Sequence, residues 1–483
     1  MRSARGAARH ARRISARGAH LGQNVRVTAT DVATPSEIQA RLDGLPWSRR
    51  HTRLLFGSGL GWALDAMDVG LVSFVVAALV EHGFATAEER PLILSIGFAG
   101  MAIGAAVGGL LADRLGRRSV FAITLLVFGV ATGLTALSWS VMALLVFRFI
   151  AGFGLGAELP VASTYMSEFA PRRIRGRVIV LLEAFWAVGW FVQAIVGTYV
   201  VPLGPDGWRW ALLIGAAPAV YAAVVRFGMP ESVRYLLSRG RRDEAERVVA
   251  TFAASGWTRR ADDLDLRAPS GAAAADTGPA PAGLRLGERL AGLWAPGLRA
   301  TTLGLWLVWF FVNFAYYGAF LWIPSILVAD GYPLATSFVF TLIITAAQLP
   351  GYLVAAWLIE AWGRRATLVV FLCGSAVSAV LFGTVPGEAA IIGFGMALSF
   401  FNLGAWGAVY AITPESYPTP VRGTGSGWAA GVGRIASIVV PFIVAPLLAA
   451  GGRASIFVMF TASFLIAAAA ALLVRERKGV ALD

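Results

Sequence analysis

Twelve long apolar runs, separated by short polar stretches, dominate the pattern of this chain. They fall at roughly 53–80, 91–112, 119–138, 141–166, 176–201, 208–229, 299–327, 335–359, 366–385, 388–413, 423–449 and 452–474. Each is near the ~20 residues that a helix needs to cross a hydrocarbon core. The runs are continuous and do not alternate with the period of two that marks a barrel strand. Inside lipid, a lone segment satisfies its backbone groups only as a helix. The pattern therefore predicts an all-α polytopic membrane protein with twelve transmembrane helices. Runs 4 and 10 carry polar residues and are the weakest by hydropathy. One long polar stretch, 230–298, splits the runs into two sets of six and contains the tract GAAAADTGPAPAG. The expected organisation is an Arg-rich disordered segment at 1–52, a six-helix bundle at 53–229, a cytoplasmic connection at 230–298, a second bundle at 299–475 and a tail at 476–483. Short surface helices are expected within 231–251.

Composition supports lipid as the solvent. Of the 483 residues, 57% are hydrophobic and 14% charged, against about 25% charged in an ordinary soluble domain. Mean hydropathy is +0.68. The net charge of +13 is placed for topology rather than for nucleic acid. Residues 1–53 hold eleven Arg and three acids, and no apolar core follows them that would make a secretory signal. The loops after runs 2, 4, 8 and 10 read DRLGRR, SEFAPRRIRGR, EAWGRR and PESYPTPVRG, whereas those after runs 1, 3, 5, 7 and 9 are poor in arginine. Positive loops stay inside, so both termini are expected in the cytoplasm, which requires an even number of spans. Lys478 is the one lysine; with so much Arg, Ala and Gly, the composition suggests a bacterial source and hence its cytoplasmic membrane.

Scarce residues exclude whole chemistries. Cys373 is the single cysteine, so an intrachain disulfide or a cysteine metal cluster is impossible. His10, His20, His51 and His82 all lie at or outside the ends of the runs. Gly152-x-Gly154-x-Gly156 lies inside an apolar run with no lysine after it, unlike a phosphate loop. No metal, cofactor, nucleic acid or obligate protein partner is implied, and the chain does not read as an enzyme.

The two sets of six repeat. Asp113-Arg-Leu-Gly-Arg-Arg118 and Glu360-Ala-Trp-Gly-Arg-Arg365 are 247 residues apart, as are Glu168 and Glu415, Arg175 and Arg422, and Gly176 and Gly423. Two homologous halves are the build of a transporter with a parallel repeat and a site at mid-membrane between them.

GGLLADRLGRR resembles the signature loop of the major facilitator superfamily, and Arg148-x3-Gly152-x3-Gly156 resembles its fourth-span motif. MPESVRYLL at 229–237 and the paired loops are similar to its sugar-porter and organic-ion branches. DAMDVG (65–70), GLGAELPVAST (154–164), LLEAFWAVGW (181–190), AYYGAFLWIPS (315–325), AQLPGY (347–352), SFFNLGAWG (399–407) and TPESYPTPVRGTGSG (413–427) resemble bacterial niacin (nicotinate) transporters. The resemblance spans residues 45 to about 475. It implies alternating access and import of a small aromatic monocarboxylate, nicotinate first among them, with a proton. Benzoate-type, other organic-acid or sugar symport, export, and a non-transporting sensor stay open beside it.

The intramembrane polar residues are the candidates for chemistry. Asp65 and Asp68 are three apart, on one face of span 1. A charged Asp at a helix centre costs about 2.5–3.5 kcal/mol on insertion scales, and two so close favour a shared proton. The alternative is that one pairs permanently with Arg148 or Arg434. Glu158 and Glu183 are further candidates for proton coupling. The family motif gives Arg148 a part in gating or proton transfer; a bridge from Arg148 to Glu158 is the structural alternative. Arg434, inside span 11, needs an anionic partner, and its planar fork suits a carboxylate. That partner is a substrate carboxylate or one of the span 1 aspartates. Span 7 is dense in aromatics, most of which packing and the interfacial belt explain; Tyr316 or Tyr317, with the polar Asn313, are the chosen substrate contacts. Trp186 shares a face with Glu183. Gln193, Gln348, Asn402, Trp406 and Tyr410 follow by the same argument.

Two glycine stripes, Gly100-x3-Gly104-x3-Gly108 and Gly423-x3-Gly427-x3-Gly431, are expected to pack one half on the other. The resemblance further implies a cytoplasmic charge latch of Asp113, Arg117, Arg118, Glu168 and Arg175. Its mirror is Glu360, Arg364, Arg365, Glu415 and Arg422, weaker because Ala361 stands where the first set has Arg114.

Overall fold

A computed structural model describes residues 34–255 and 286–476. The first 33 residues, the GAAAADTGPAPAG tract and Lys478 lie outside the described residues.

The described chain is helical, and twelve spans are present. Span 1 is Arg49–Glu81, span 2 Arg90–Leu115, span 3 Arg117–Ala136, span 4 Val141–Phe169 and span 5 Arg175–Tyr199. Span 6 is Gly207–Gly228, broken at Ala216 ahead of Pro218. Span 7 runs over Arg299–Phe320 and resumes as Ile323–Ala329, with Pro324 in the first turn of the second piece. Span 8 is Leu334–Trp362, span 9 Arg364–Thr384 and span 10 Glu388–Glu415. The last rod, Thr419–Ala471, is two spans joined at Gly452, whose φ of +62° and ψ of −160° break the helix. Positive φ is cheap only for glycine, and the same device separates spans 2 and 3 at Gly116 (φ +94°) and spans 8 and 9 at Gly363 (φ +101°).

The segment expected to lack structure contains a helix, Pro35–Gly44. Its Thr34 and Glu37 form a capping box, and Ile38 and Leu42 are buried. Reciprocal capping satisfies two orphan backbone donors, and Asp43 ties the helix to Arg175 at 2.9 Å. Composition of the first 52 residues hid this, because most of the arginines precede the helix. Surface helices Val233–Ser238 and Arg242–Ala253 follow span 6, and Leu286–Leu293 precedes span 7.

Burial sorts the spans. In span 1, 89% of the most apolar window is buried, and in span 7, 72%; in span 6 it is 33%. Spans 1 and 7 therefore stand in the interior of their halves, and span 6 presents its side chains to lipid.

The glycine stripes differ from expectation. In span 2, a Cβ on Gly100, Gly104 or Gly108 would run into the backbone of Phe149, Phe153 or Ala157 in span 4. That stripe packs two helices of the same half, not one half on the other. In span 11, a Cβ on Gly423, Gly427 or Gly431 would meet nothing within 4 Å. Small residues allow close approach, but the neighbour that takes it is set by tertiary packing.

The halves touch at the ends opposite the arginine-rich loops. Ser95 donates to the Ile438 carbonyl at 2.9 Å and Thr198 to the Phe338 carbonyl at 3.1 Å. The Phe74 and Phe338 rings are 4.7 Å apart, those of Phe98 and Tyr317 also 4.7 Å, and Arg90 lies over Trp322. With the Gly423–Gly431 stripe uncovered, the molecule is open toward the arginine-rich side.

Candidate functional site

A pocket lined by residues of both halves lies between them, a setting in which small-molecule sites commonly form. The first half contributes Glu183 and Trp186, one turn apart on span 5. The second half contributes the rest. Span 7 supplies Trp309, Asn313, Tyr316 and Tyr317; span 8 supplies Tyr352; span 10 supplies Trp406 and Tyr410; span 11 supplies Arg434.

The wall is aromatic and mutually braced. Trp309 meets Trp406 edge-on at 5.6 Å and Tyr410 at 5.1 Å, and Trp406 stacks on Tyr410 at 5.7 Å. Tyr316 meets Trp406 at 5.7 Å. These are favourable aromatic geometries, and each ring braces the next. The Trp309 indole N–H is taken by Thr413 at 2.9 Å, but that of Trp406 is buried with no acceptor. An unsatisfied buried donor costs about 1–3 kcal/mol and marks a place where a ligand can contribute.

Arg434 supplies the charge. It donates to the Tyr317 hydroxyl at 3.3 Å. Glu183 is the acid that shares its pocket; among the described residues no carboxylate forms an ion pair with it. Arg434 therefore pairs with neither Asp65 nor Asp68. Asn313 is at the pocket edge with its amide engaged by the Trp309 carbonyl at 2.7 Å and by Ser437 at 3.4 Å.

Three expected contacts do not line this pocket. Gln348 is one turn before Tyr352, Asn402 one turn before Trp406, and Gln193 two turns beyond Trp186, all on the side away from the arginine-rich loops. Each is sealed from solvent with every amide atom unpartnered. Their helices were read correctly, but the level along each helix was not, since no local signal sets it. Tyr352 was overlooked, although it closes the AQLPGY stretch; Trp309 was assigned to packing.

A second polar centre lies among spans 1, 3 and 4. Arg148 binds both Asp68 oxygens, at 2.9 and 3.1 Å, and Thr132 donates to Asp68 at 2.8 Å. Arg148 does not bridge to Glu158. The two are ten residues apart on span 4, about 15 Å along the axis. Glu158 instead faces Asp65. All four oxygens of the two carboxyls are buried without a hydrogen-bond partner. The close acid pair is thus Asp65 with Glu158, and Asp68 is neutralised by Arg148.

The loop charges form one network per half. Arg117 lies 3.5 Å from Glu168, whose other oxygen accepts from Ser232. The Arg118 backbone N–H donates to Glu231 at 3.1 Å. Arg364 bridges Glu415 at 3.0 Å and Glu360 at 3.6 Å, so the second set is a closed network despite Ala361. Arg364 and Arg365 donate their backbone N–H groups to Glu476 at 3.2 and 2.9 Å. Arg175 turns to Asp43, and Arg422 donates to the Tyr417 carbonyl. The Asp113 side chain lies outside the described residues. Glu231 and Glu476 were missed by the loop reading, although they play matching parts beside Gly116 and Gly363. A Cβ on either glycine would strike its glutamate.

Comparison with known proteins accords with this geometry. The family model described as sugar (and other) transporter matches residues 60–483. The niacin transporter NiaP of Acinetobacter baylyi is 43% identical over 449 residues, covering 92% of this chain and 99% of that one. A Bacillus subtilis (strain 168) protein, NiaP, named for niacin and nicotinamide, is 44% identical over 441 residues, with 91% and 99% covered. Among solved structures, the partially occluded inward-open xylose transporter XylE from E. coli superposes with a TM-score of 0.68 at 18% identity, covering 90% of this chain and all of that one.

Proposed function

The chain belongs to the sugar (and other) transporter family of the major facilitator superfamily, and from that premise we propose that it imports nicotinate with a proton by alternating access. It is a multi-pass membrane transporter and not an enzyme. The observation that carries the substrate reading is Arg434, a guanidinium held only by a phenol inside an aromatic pocket between the halves. A planar ring fits between Trp and Tyr faces, and its carboxylate takes the fork. The names of the two relatives at 43 and 44% identity support the same solute.

The two bundles, at 53–229 and 299–475, rock about this pocket. Arginine-rich loops belong in the cytoplasm, so the described state faces inward, with both termini cytoplasmic in the inner membrane of a bacterium. Asp65 and Glu158 carry the transported proton. Two facing carboxyls hold one proton between them as O–H···O, and a fully charged pair has no cation to balance it. Arg148 and Asp68 brace that site, while Glu183 links it to the substrate pocket. The loop networks around Glu168 and Glu415 set the balance between inward and outward states.

Uptake of labelled nicotinate, nicotinamide, benzoate and a hexose, in cells lacking their own carriers, tests this. Nicotinate accumulation abolished by a protonophore is the expected result. Hexose uptake without nicotinate uptake, or accumulation indifferent to the protonophore, overturns it.

A further inference from the structure

We propose that Glu183 is a specificity-determining residue that reads the ring nitrogen of the substrate, so that the site selects a pyridine monocarboxylate over its benzene analogue. The inference rests on the reading that Arg434 holds the carboxylate.

The pocket presents two charged groups from opposite halves. Arg434 comes from span 11 and Glu183 from span 5, and both line the cavity. Glu183 is 4% exposed and is the one acidic residue in the pocket lining. Arg434 is the one basic residue in the same lining. Once a substrate carboxylate takes Arg434, that counter-charge is spent. A bare carboxylate among tryptophans and tyrosines is then costly unless a new partner arrives.

A benzene ring brings none. A pyridine ring brings a nitrogen that accepts from the Glu183 O–H or, as pyridinium, donates its N–H to the Glu183 carboxylate. The atoms are the same in both descriptions: one proton between a Glu183 oxygen and the ring nitrogen. The aromatic walls cannot make this distinction, since the two rings have the same outline and nearly the same faces. Discrimination must come from a polar group at the rim of the ring. Asn313 is occupied by Trp309 and Ser437, and Tyr317 by Arg434; the free Trp406 N–H and Tyr316 hydroxyl belong, like Arg434, to the second half. Glu183 lies on the opposite half from Arg434, so the two groups can meet different edges of a ring lying between the halves. A site built to hydrogen-bond a ligand group rejects the analogue lacking it far more strongly than an apolar pocket rejects a missing methylene.

The test is equilibrium binding of nicotinate and benzoate to the purified full chain in lipid nanodiscs, followed by calorimetry. The wild-type protein is expected to bind nicotinate at least about tenfold more tightly than benzoate. In Glu183→Leu that ratio falls to within about twofold, through loss of nicotinate affinity with benzoate little changed. Glu183→Gln, whose amide still donates to a ring nitrogen, keeps most of the preference. Equal wild-type affinities, or a Glu183→Leu variant that keeps the preference or weakens both acids alike, overturn the proposal. Should Glu183→Leu fail gel filtration, the wild-type ratio and Glu183→Gln decide, and loss of the preference in Glu183→Gln counts against it. Arg434→Gln separates the premise from the inference. If that variant binds both acids as tightly as wild type, the carboxylate reading fails, whatever Glu183 does.

Discussion

Arg148 reaches Asp68 at 2.9 Å, and this contact leaves Asp65, one turn earlier on the same helix, to face Glu158 without a cation. Two aspartates three residues apart thus have different fates. Asp68 is held by Arg148 and Thr132. Asp65 lies beside a second buried carboxyl, and neither has a hydrogen-bond donor. A structural ion pair and a proton-holding pair sit side by side, and the predictions divide along that line.

Breaking the ion pair from one side should unfold the protein more than removing it whole. Asp68→Ala leaves a buried guanidinium uncompensated, at a cost of about 3–5 kcal/mol. The combined Asp68→Asn, Arg148→Gln variant should recover most of that. Thermal unfolding in detergent measures both; a single variant as stable as wild type would contradict the assignment.

The carboxyl pair should matter for coupling and little for folding. Asp65→Asn and Glu158→Gln replace an acid by an uncharged group of the same shape. Each should insert and exchange substrate in counterflow at close to the wild-type rate. Gradient-driven accumulation of nicotinate should drop about tenfold or more, since losing one proton's charge-assisted contact is worth about 1.5–3 kcal/mol. Accumulation at wild-type level in both variants would remove the pair from the mechanism.

Arg434 should act on charge, not on ring. Arg434→Gln forfeits a charge-assisted hydrogen bond worth about 1.5–3 kcal/mol, or about 10- to 150-fold in nicotinate affinity. Nicotinamide keeps the ring without the carboxylate, so its binding should change by less than about threefold. A parallel loss for both ligands would mean that Arg434 only shapes the pocket.

The two glycine stripes should respond oppositely to a methyl group. Gly104→Ala drives a Cβ into the Phe153 carbonyl and should lower stability by about 1–3 kcal/mol, as overpacking does. Gly427→Ala meets open space in the described state, so substrate binding should survive. Transport turnover should fall several-fold if that face closes against the other half during the cycle. Unfolding midpoints for the first and paired binding and turnover measurements for the second check this.

The amino-acid sequence by itself determined the solvent, the number of spans, the division into two halves and the repeat at 247 residues. These follow from run length, composition and loop charge, which are local properties that a lipid core reads directly. It also marked the intramembrane acids, Arg434 and much of the aromatic wall, because ionisable groups are rare where each is expensive. Their partners were decided by the tertiary structure. Whether Arg148 meets Asp68 or Glu158, whether Gly104 serves span 4 or the other half, and whether Gln193, Gln348 and Asn402 reach the pocket or stop a turn or more away all depend on how each helix is rotated and shifted against its neighbours. Periodicity gives a face relative to its own helix axis. The docking of twelve such axes is a property of packed side chains distant in sequence, and it converts a set of scarce polar residues into one ion pair, one carboxyl pair and one pocket.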